Sequence, residues 1–146
     1  MLSLSNLLFL FATLFFLSFR SEQTHSLFIE IKGVSNIRGN VYVGIYREQD
    51  NFPKHNSRFK GQVINPSSSS VECVFDKLAP GRYAVAGFLD ENNNGRLDKN
   101  ALGVPIEKYA ISNDVRERFS APSFEKAAIL LNSSRKIKFT LKYHFN

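Results

Sequence analysis

Asp90, Asn92 and Asn94 stand at every second position, Gly95 follows with freedom for φ > 0, and Asp98 brings a further carboxylate to the same short stretch. Side-chain oxygens spaced this way in a tight loop converge on one point. A hard divalent cation such as Ca²⁺ uses that geometry, taking roughly six to eight oxygens at about 2.3–2.6 Å. In such loops the seventh position adds a backbone carbonyl, here Arg96, and the ninth a direct or water-mediated oxygen, here Asp98. The twelfth position, where a bidentate Glu normally closes the site, is Ala101. Closure would fall to Glu107, Asp114 or water. The flanks read as a strand and a Gly/Pro-containing coil, so this is no EF-hand, and affinity is expected near the millimolar end. A metal-free reading uses the same residues: Asn and Asp side chains hydrogen-bond their own backbone as Asx turns in a polar hairpin loop. Both readings stay open.

A second group of chemically capable residues follows, between Leu102 and Phe124, in the longest segment without strong strand character. Long ordered loops on a rigid scaffold are where binding tends to reside. Asn113, Arg116, Arg118 and Phe119 form a candidate ligand site there, with forked guanidinium donors suited to a carboxylate or phosphate. The alternative is that Arg116 and Arg118 flank Glu117 on a solvated turn, or neutralise Asp90 and Asp98 across the loop. No catalytic set emerges. His25, His55 and His144 share no motif with a Ser or Cys nucleophile and no zinc spacing appears, so a non-enzymatic protein is expected. Cys73, the single cysteine, alternates with Val71 and Phe75 and reads as a buried, inert thiol.

The elements that must position these residues read as strands nearly throughout. Leu27, Ile29 and Ile31 alternate with Phe28, Glu30 and Lys32, and Val41, Val43 and Ile45 with Tyr42, Gly44 and Tyr46, giving two half-buried strands. The short link Gly33 to Gly39 predicts that they pair antiparallel. Further strands are expected at Gln62–Asn65, Val71–Leu78, Tyr83–Leu89, near Tyr109–Ile111, at Ala127–Leu131 and at Ile137–Tyr143. Short strands at this spacing, with Gly, Pro, Asn and Ser between them, predict an all-β, antiparallel sandwich of about seven to eight strands. The fourteen Phe residues are assigned to its core or to the N-terminal segment. Net charge is +6. Lys136, Lys138 and Lys142 alternate with Ile137, Phe139 and Leu141, which places them on the solvated face of a strand rather than in a nucleic-acid site.

Leu2 to Phe19 is an apolar run ended by Arg20 and Glu22. Its strictly apolar part, Leu7–Leu17, is shorter than the roughly 20 residues that span a bilayer. It reads as a signal peptide over residues 1–26, cleaved before Leu27, followed by one domain over 27–146 with no membrane span. Export without disulfides fits a bacterial periplasmic or secreted protein.

Several linked stretches carry a resemblance: Leu78-Ala79-Pro80-Gly81-Arg82-Tyr83-Ala84-Val85, then Asp90 through Asp98, Leu102-Gly103-Val104-Pro105, Ser112-Asn113, and Pro122-Ser123-Phe124-Glu125-Lys126-Ala127. In order and spacing the chain resembles the bacterial domain of unknown function DUF2141 over roughly Leu27 to Tyr143. The resemblance implies an exported bacterial protein with an immunoglobulin-like or transthyretin-like sandwich, and brings no activity, ligand or catalytic residue with it. Two functions from different classes follow. One is an exported binding module for a small ligand, glycan or envelope protein, with Ca²⁺ as its only expected cofactor. The other is a structural envelope domain whose loop merely rigidifies one end.

Overall fold

A computed structural model describes residues 22–34, 38–118 and 120–145. Residues 1–21, which hold most of the expected signal peptide, and Phe119 lie outside the described residues. The strands are β1 (His25–Lys32), β2 (Asn40–Tyr46), β3 (Lys60–Ile64), β4 (Ser70–Leu78), β5 (Gly81–Asp90), β6 (Tyr109–Ile111), β7 (Ile129–Leu131) and β8 (Arg135–Thr140). One sheet has the order β4-β1-β8; the other runs β3-β2-β5-β6. β7 shares the outer edge of β5 with β6, β7 beside Gly81–Tyr83 and β6 beside Ala86–Phe88. The protein is an all-β sandwich. The single departure from antiparallel pairing among the described strands is β8, which runs parallel to β1. β1 begins at His25, so the expected cleavage point before Leu27 falls within the strand.

Period-two patterning fixes the core. Leu27, Ile29 and Ile31 of β1 and Val71, Cys73 and Phe75 of β4 face Val41, Val43 and Ile45 of β2 and Val85 and Leu89 of β5, all of them buried. Each such side chain contributes about 1.5–3 kcal/mol on burial. A bulge at Asp76 and Lys77, the latter at φ 54°, inserts an extra residue opposite Ser26, so that Phe75 and Leu78 both point inward. Burial pushes the Cys73 thiol up to about 11, as suits an inert core residue. On the outer face of β4-β1-β8, Glu30 lies between Lys138 and Lys136, each 3.1 Å away, which hold its carboxyl below the usual range.

Four expectations are corrected. β1 and β2 do not pair; the link between them carries the chain from one sheet to the other. Their aliphatic faces meet across the core, which buries both. β2 is not half-buried, since Tyr46 on its outer face is 2% exposed. Ala127 belongs to a helical turn, Phe124–Ala127, that precedes β7. Of the Phe residues, Phe75 and Phe139 lie in the core between the sheets. Phe52, Phe88 and Phe124 build a second cluster on the outer face of β2, β5 and β6, while Phe28, Phe59 and Phe145 are exposed.

Candidate functional site

β5 ends at Asp90, which is fully buried. Its Oδ1 accepts the N–H of Asn94 at 3.1 Å and its Oδ2 that of Gly95 at 2.7 Å, bending the chain straight after the strand. Gly39 passes directly over this bend at φ 82°, where an added Cβ would stand 1.9 Å from the Asp90 carbonyl oxygen. Only glycine fits there. Asn92 and Asn94 donate through Nδ2 to Asp98 Oδ2 at 2.7 and 2.8 Å, and Arg96 Nε donates to Asp98 Oδ1 at 3.1 Å. The Asn94 amide, then that of Asn92 and the guanidinium, hold the Asp98 carboxyl below its ordinary range. Asn92 and Asn94 also accept backbone N–H groups two residues on, as Asx turns do. The five expected donors, Asp90, Asn92, Asn94, Arg96 and Asp98, therefore occupy one loop, and three of them point at the carboxylate of Asp98.

Glu107, 6% exposed, takes a different part from the metal-closing one considered for it. Its two carboxylate oxygens accept the N–H groups of Glu91 at 3.0 Å and Asp98 at 2.9 Å, tying both ends of the loop together. Burial raises its pKa, the two N–H groups oppose that, and Asp98 and Asp90 add to it. Among the described residues, no three His, Cys, Asp or Glu side chains gather closely enough to hold a metal ion. Beyond Asp98 the chain forms a small hairpin: Ile106 N–H reaches the Asp98 carbonyl and Asn100 N–H the Val104 carbonyl, both at 2.9 Å.

That hairpin is one wall of a groove of about 690 Å³ on the outer face of β2, β5 and β6. The floor is aromatic. Tyr42 and Phe88 stack with centroids 5.0 Å apart and planes 6° from parallel, and His55 meets both edge-on at 5.4 Å. Burial, then the charge of Arg58, lowers the His55 pKa and favours its neutral form. Tyr109 and Ile111 of β6 continue the floor, and Arg118, Ser120, Ala121, Pro122, His144 and Phe145 form the far wall. His144 Nε2 donates to the Arg118 carbonyl at 3.1 Å, leaving Nδ1 against the Tyr109 hydroxyl at 2.8 Å. Leu102 and Phe145 stand at the mouth, 87% and 74% exposed.

The four expected ligand residues separate. Arg118 lines the groove. Arg116 lines a smaller adjoining recess, but donates to the carbonyls of Tyr109 at 3.0 Å and Tyr143 at 3.4 Å, with its guanidinium over the Tyr109 ring. Asn113, at φ 62°, donates to the carbonyls of Lys126 and Ala128 and holds the helical turn in place. Phe119 is outside the described residues. Glu117 pairs with Lys126, not with either arginine. Sequence reasoning missed Tyr42, His55, Phe88 and Lys99. A signal existed: Tyr83 to Leu89 is apolar or Gly at every position, the mark of a strand covered on both faces.

An all-β sandwich with one face closed in a core and the other opened into an aromatic groove defines the class of protein. The chain belongs to the DUF2141 family, described as an uncharacterized protein conserved in bacteria, which matches it over residues 29–138. The match runs from β1 into β8 and includes the Asp90–Asp98 loop. No curated protein and no solved structure matches the chain. Among the described residues no helix is long and apolar enough to cross a membrane.

Proposed function

We propose that this protein is an exported, non-enzymatic binding module that takes a small ligand in the groove on the outer face of β2, β5 and β6. One observation carries the reading: a concavity of about 690 Å³ with a stacked aromatic floor, walled by three separate loops. Pockets of roughly 300–1,000 Å³, mainly apolar with a few polar groups, are the usual size and character of small-molecule sites. A largely apolar floor favours a ligand with an apolar body over a glycan. Export is supported by the apolar run Leu7–Leu17.

The Asp90–Asp98 loop is proposed to build the wall beside Leu97 and to take Ca²⁺ weakly. The alternate spacing of Asp90, Asn92 and Asn94 with Asp98 behind them supports this. The Asn92 and Asn94 amide N–H groups and Arg96, which now face Asp98, would have to turn away to admit the ion. With only Asp90 and Asp98 as carboxylates, and Arg96 to be displaced, affinity belongs at the millimolar end.

The test of the groove is titration with N-phenyl-1-naphthylamine, a neutral apolar dye that fluoresces when it leaves water. Ala86 lies half-buried on the floor between Gly44 and Ile111, on the same face of β5 as Phe88. Ala86→Phe fills the space without reaching the core between the sheets. The dye is expected to bind the natural protein and to be lost from Ala86→Phe while stability stays within about 1 kcal/mol. Equal dye binding by the two proteins would leave the structural, ligand-free role.

A further inference from the structure

The structure assigns a charge to the ligand: we infer that the groove binds a single-chain anionic amphiphile, an apolar tail bearing a carboxylate-like head. This rests on the groove reading of the preceding section and adds the chemical class. Among the described residues that line the groove there is no Asp or Glu, whereas Lys54, Arg96, Lys99 and Arg118 all line it. They come from three different walls, so the cations ring the mouth instead of following one strand.

The setting of these cations differs from that on the opposite side of the molecule. On the outer face of β4-β1-β8, Lys136 and Lys138 are each matched to Glu30 or Glu72. Around the groove only Arg96 has an acidic partner, Asp98, and no carboxylate among the described residues pairs with Lys54, Lys99 or Arg118. Among the described residues, Lys54, Lys99 and Arg118 thus stand at the rim of an apolar trough without an acidic partner. Uncompensated cations beside low-dielectric walls raise the local concentration of anions. An ionised head held by guanidinium and ammonium donors gains the shorter, stronger kind of hydrogen bond.

The floor complements the other half of such a ligand. The Tyr42–Phe88 stack, Ile111 and the exposed Leu102 and Phe145 offer apolar contact along the trough. His55, with its pKa lowered by burial, adds an aromatic edge to that floor. A neutral apolar ligand would use the floor and leave the cations in water. A cationic one would meet like charge at every wall.

The experiment compares laurate, dodecanol and dodecylammonium, below their aggregation limits, as competitors of N-phenyl-1-naphthylamine on the purified protein. Laurate is expected to bind about tenfold more tightly than dodecanol, with dodecylammonium weakest, and added salt to erode the laurate advantage. A triple variant, Lys54→Gln with Lys99→Gln and Arg118→Gln, is expected to abolish that advantage, its melting temperature confirming the fold. Equal affinity for laurate and dodecanol would overturn the anionic assignment and leave the groove standing. Failure of every competitor, with no dye binding, would remove the groove reading as well. Sedimentation with phosphatidylglycerol vesicles in the absence of laurate binding would make this face a membrane contact and overturn the proposal.

Discussion

β5 has two faces and they were put to different uses. Leu89 points inward, fully buried, between two sheets that exclude water; Phe88, one residue earlier, points outward and stacks on Tyr42 beneath loops that leave a trough open. The inner face of β5 and its neighbour β2 is mainly β-branched and aliphatic, with Tyr83 at one end, and fills a closed volume. The outer face of the same sheet gathers rings from three strands, Tyr42, Phe88 and Tyr109, which present large, stiff, apolar areas at low cost in conformational entropy. Both faces are apolar, yet only the inner one is roofed by a second sheet. Composition alone thus does not separate a core from a binding surface. The difference lies in what the connecting loops do above each face.

The comparison can be broken first at those two adjacent residues. Leu89→Ala is expected to cost about 4 kcal/mol, because the site is closed and cannot collapse fully. Phe88 is itself only 6% exposed, so Phe88→Ala should cost about 3 kcal/mol, less than its larger ring would otherwise give because the space left joins the trough and admits water, and should abolish dye binding. Chemical unfolding of the two variants, read through the shift in midpoint, decides this. Equal losses would mean that the outer face is a second closed core. Next in size is Asp90→Ala, which removes the acceptor for two backbone N–H groups at a fully buried position. A loss of about 3 kcal/mol is expected. Because Asp90 supports the wall carrying Leu97, the same variant should weaken dye binding, which fluorescence titration would show.

The strands were legible because alternation and turn residues are local: β4, β6 and the body of β5 fall where Val71, Tyr109 and Tyr83 begin the expected segments. Their pairing was less so. Nothing in Gly33 to Gly39 states whether the next strand lies beside β1 or across from it, since either choice buries Val41, Val43 and Ile45. The parallel pairing of β8 with β1 is a contact across the whole chain, with no local trace. In the candidate site, the shared loop of Asp90, Asn92, Asn94 and Asp98 was readable because its spacing is local, whereas the turn of the Asn amide N–H groups onto Asp98 was not. Glu107 was not, because its partners are backbone N–H groups that any sequence would supply. The groove was half readable. Its floor is encoded in the unbroken apolar run Tyr83–Leu89, whereas its walls come from loops brought together only by folding.

The outer face is itself divided, and alkaline pH sharpens that division. At one end Tyr46 is covered, with Phe52 edge-on at 5.1 Å and its hydroxyl donating to the Pro53 carbonyl at 3.3 Å. Burial pushes its phenol from 10.0 up to about 12. A group whose pKa is raised on folding adds stability that is complete below the unfolded value and disappears as pH climbs through the folded one. Stability should therefore fall by about 2–3 kcal/mol between pH 10 and 12 on account of Tyr46, given about 1.4 kcal/mol per unit. Tyr46→Phe keeps the ring and loses the ionisation. Its urea midpoint should decline less steeply over that range, and an identical slope in the two proteins would mean that the covered end admits water.

The smallest effect concerns the wall between the two regions. A native-state ligand raises stability by mass action, so a millimolar site supplied with several millimolar Ca²⁺ gives only about 1 kcal/mol. That corresponds to a rise of a few degrees in melting temperature for a domain of this size. The rise should vanish in Asp98→Ala, which removes the carboxylate that Asn92, Asn94 and Arg96 address. It should persist in Ala86→Phe, which alters the groove and leaves the loop intact. A melting temperature indifferent to Ca²⁺ would show that Glu107 and the Asx turns hold the wall by themselves. The cation would then drop out of the account while the contrast between the closed and the open face remained.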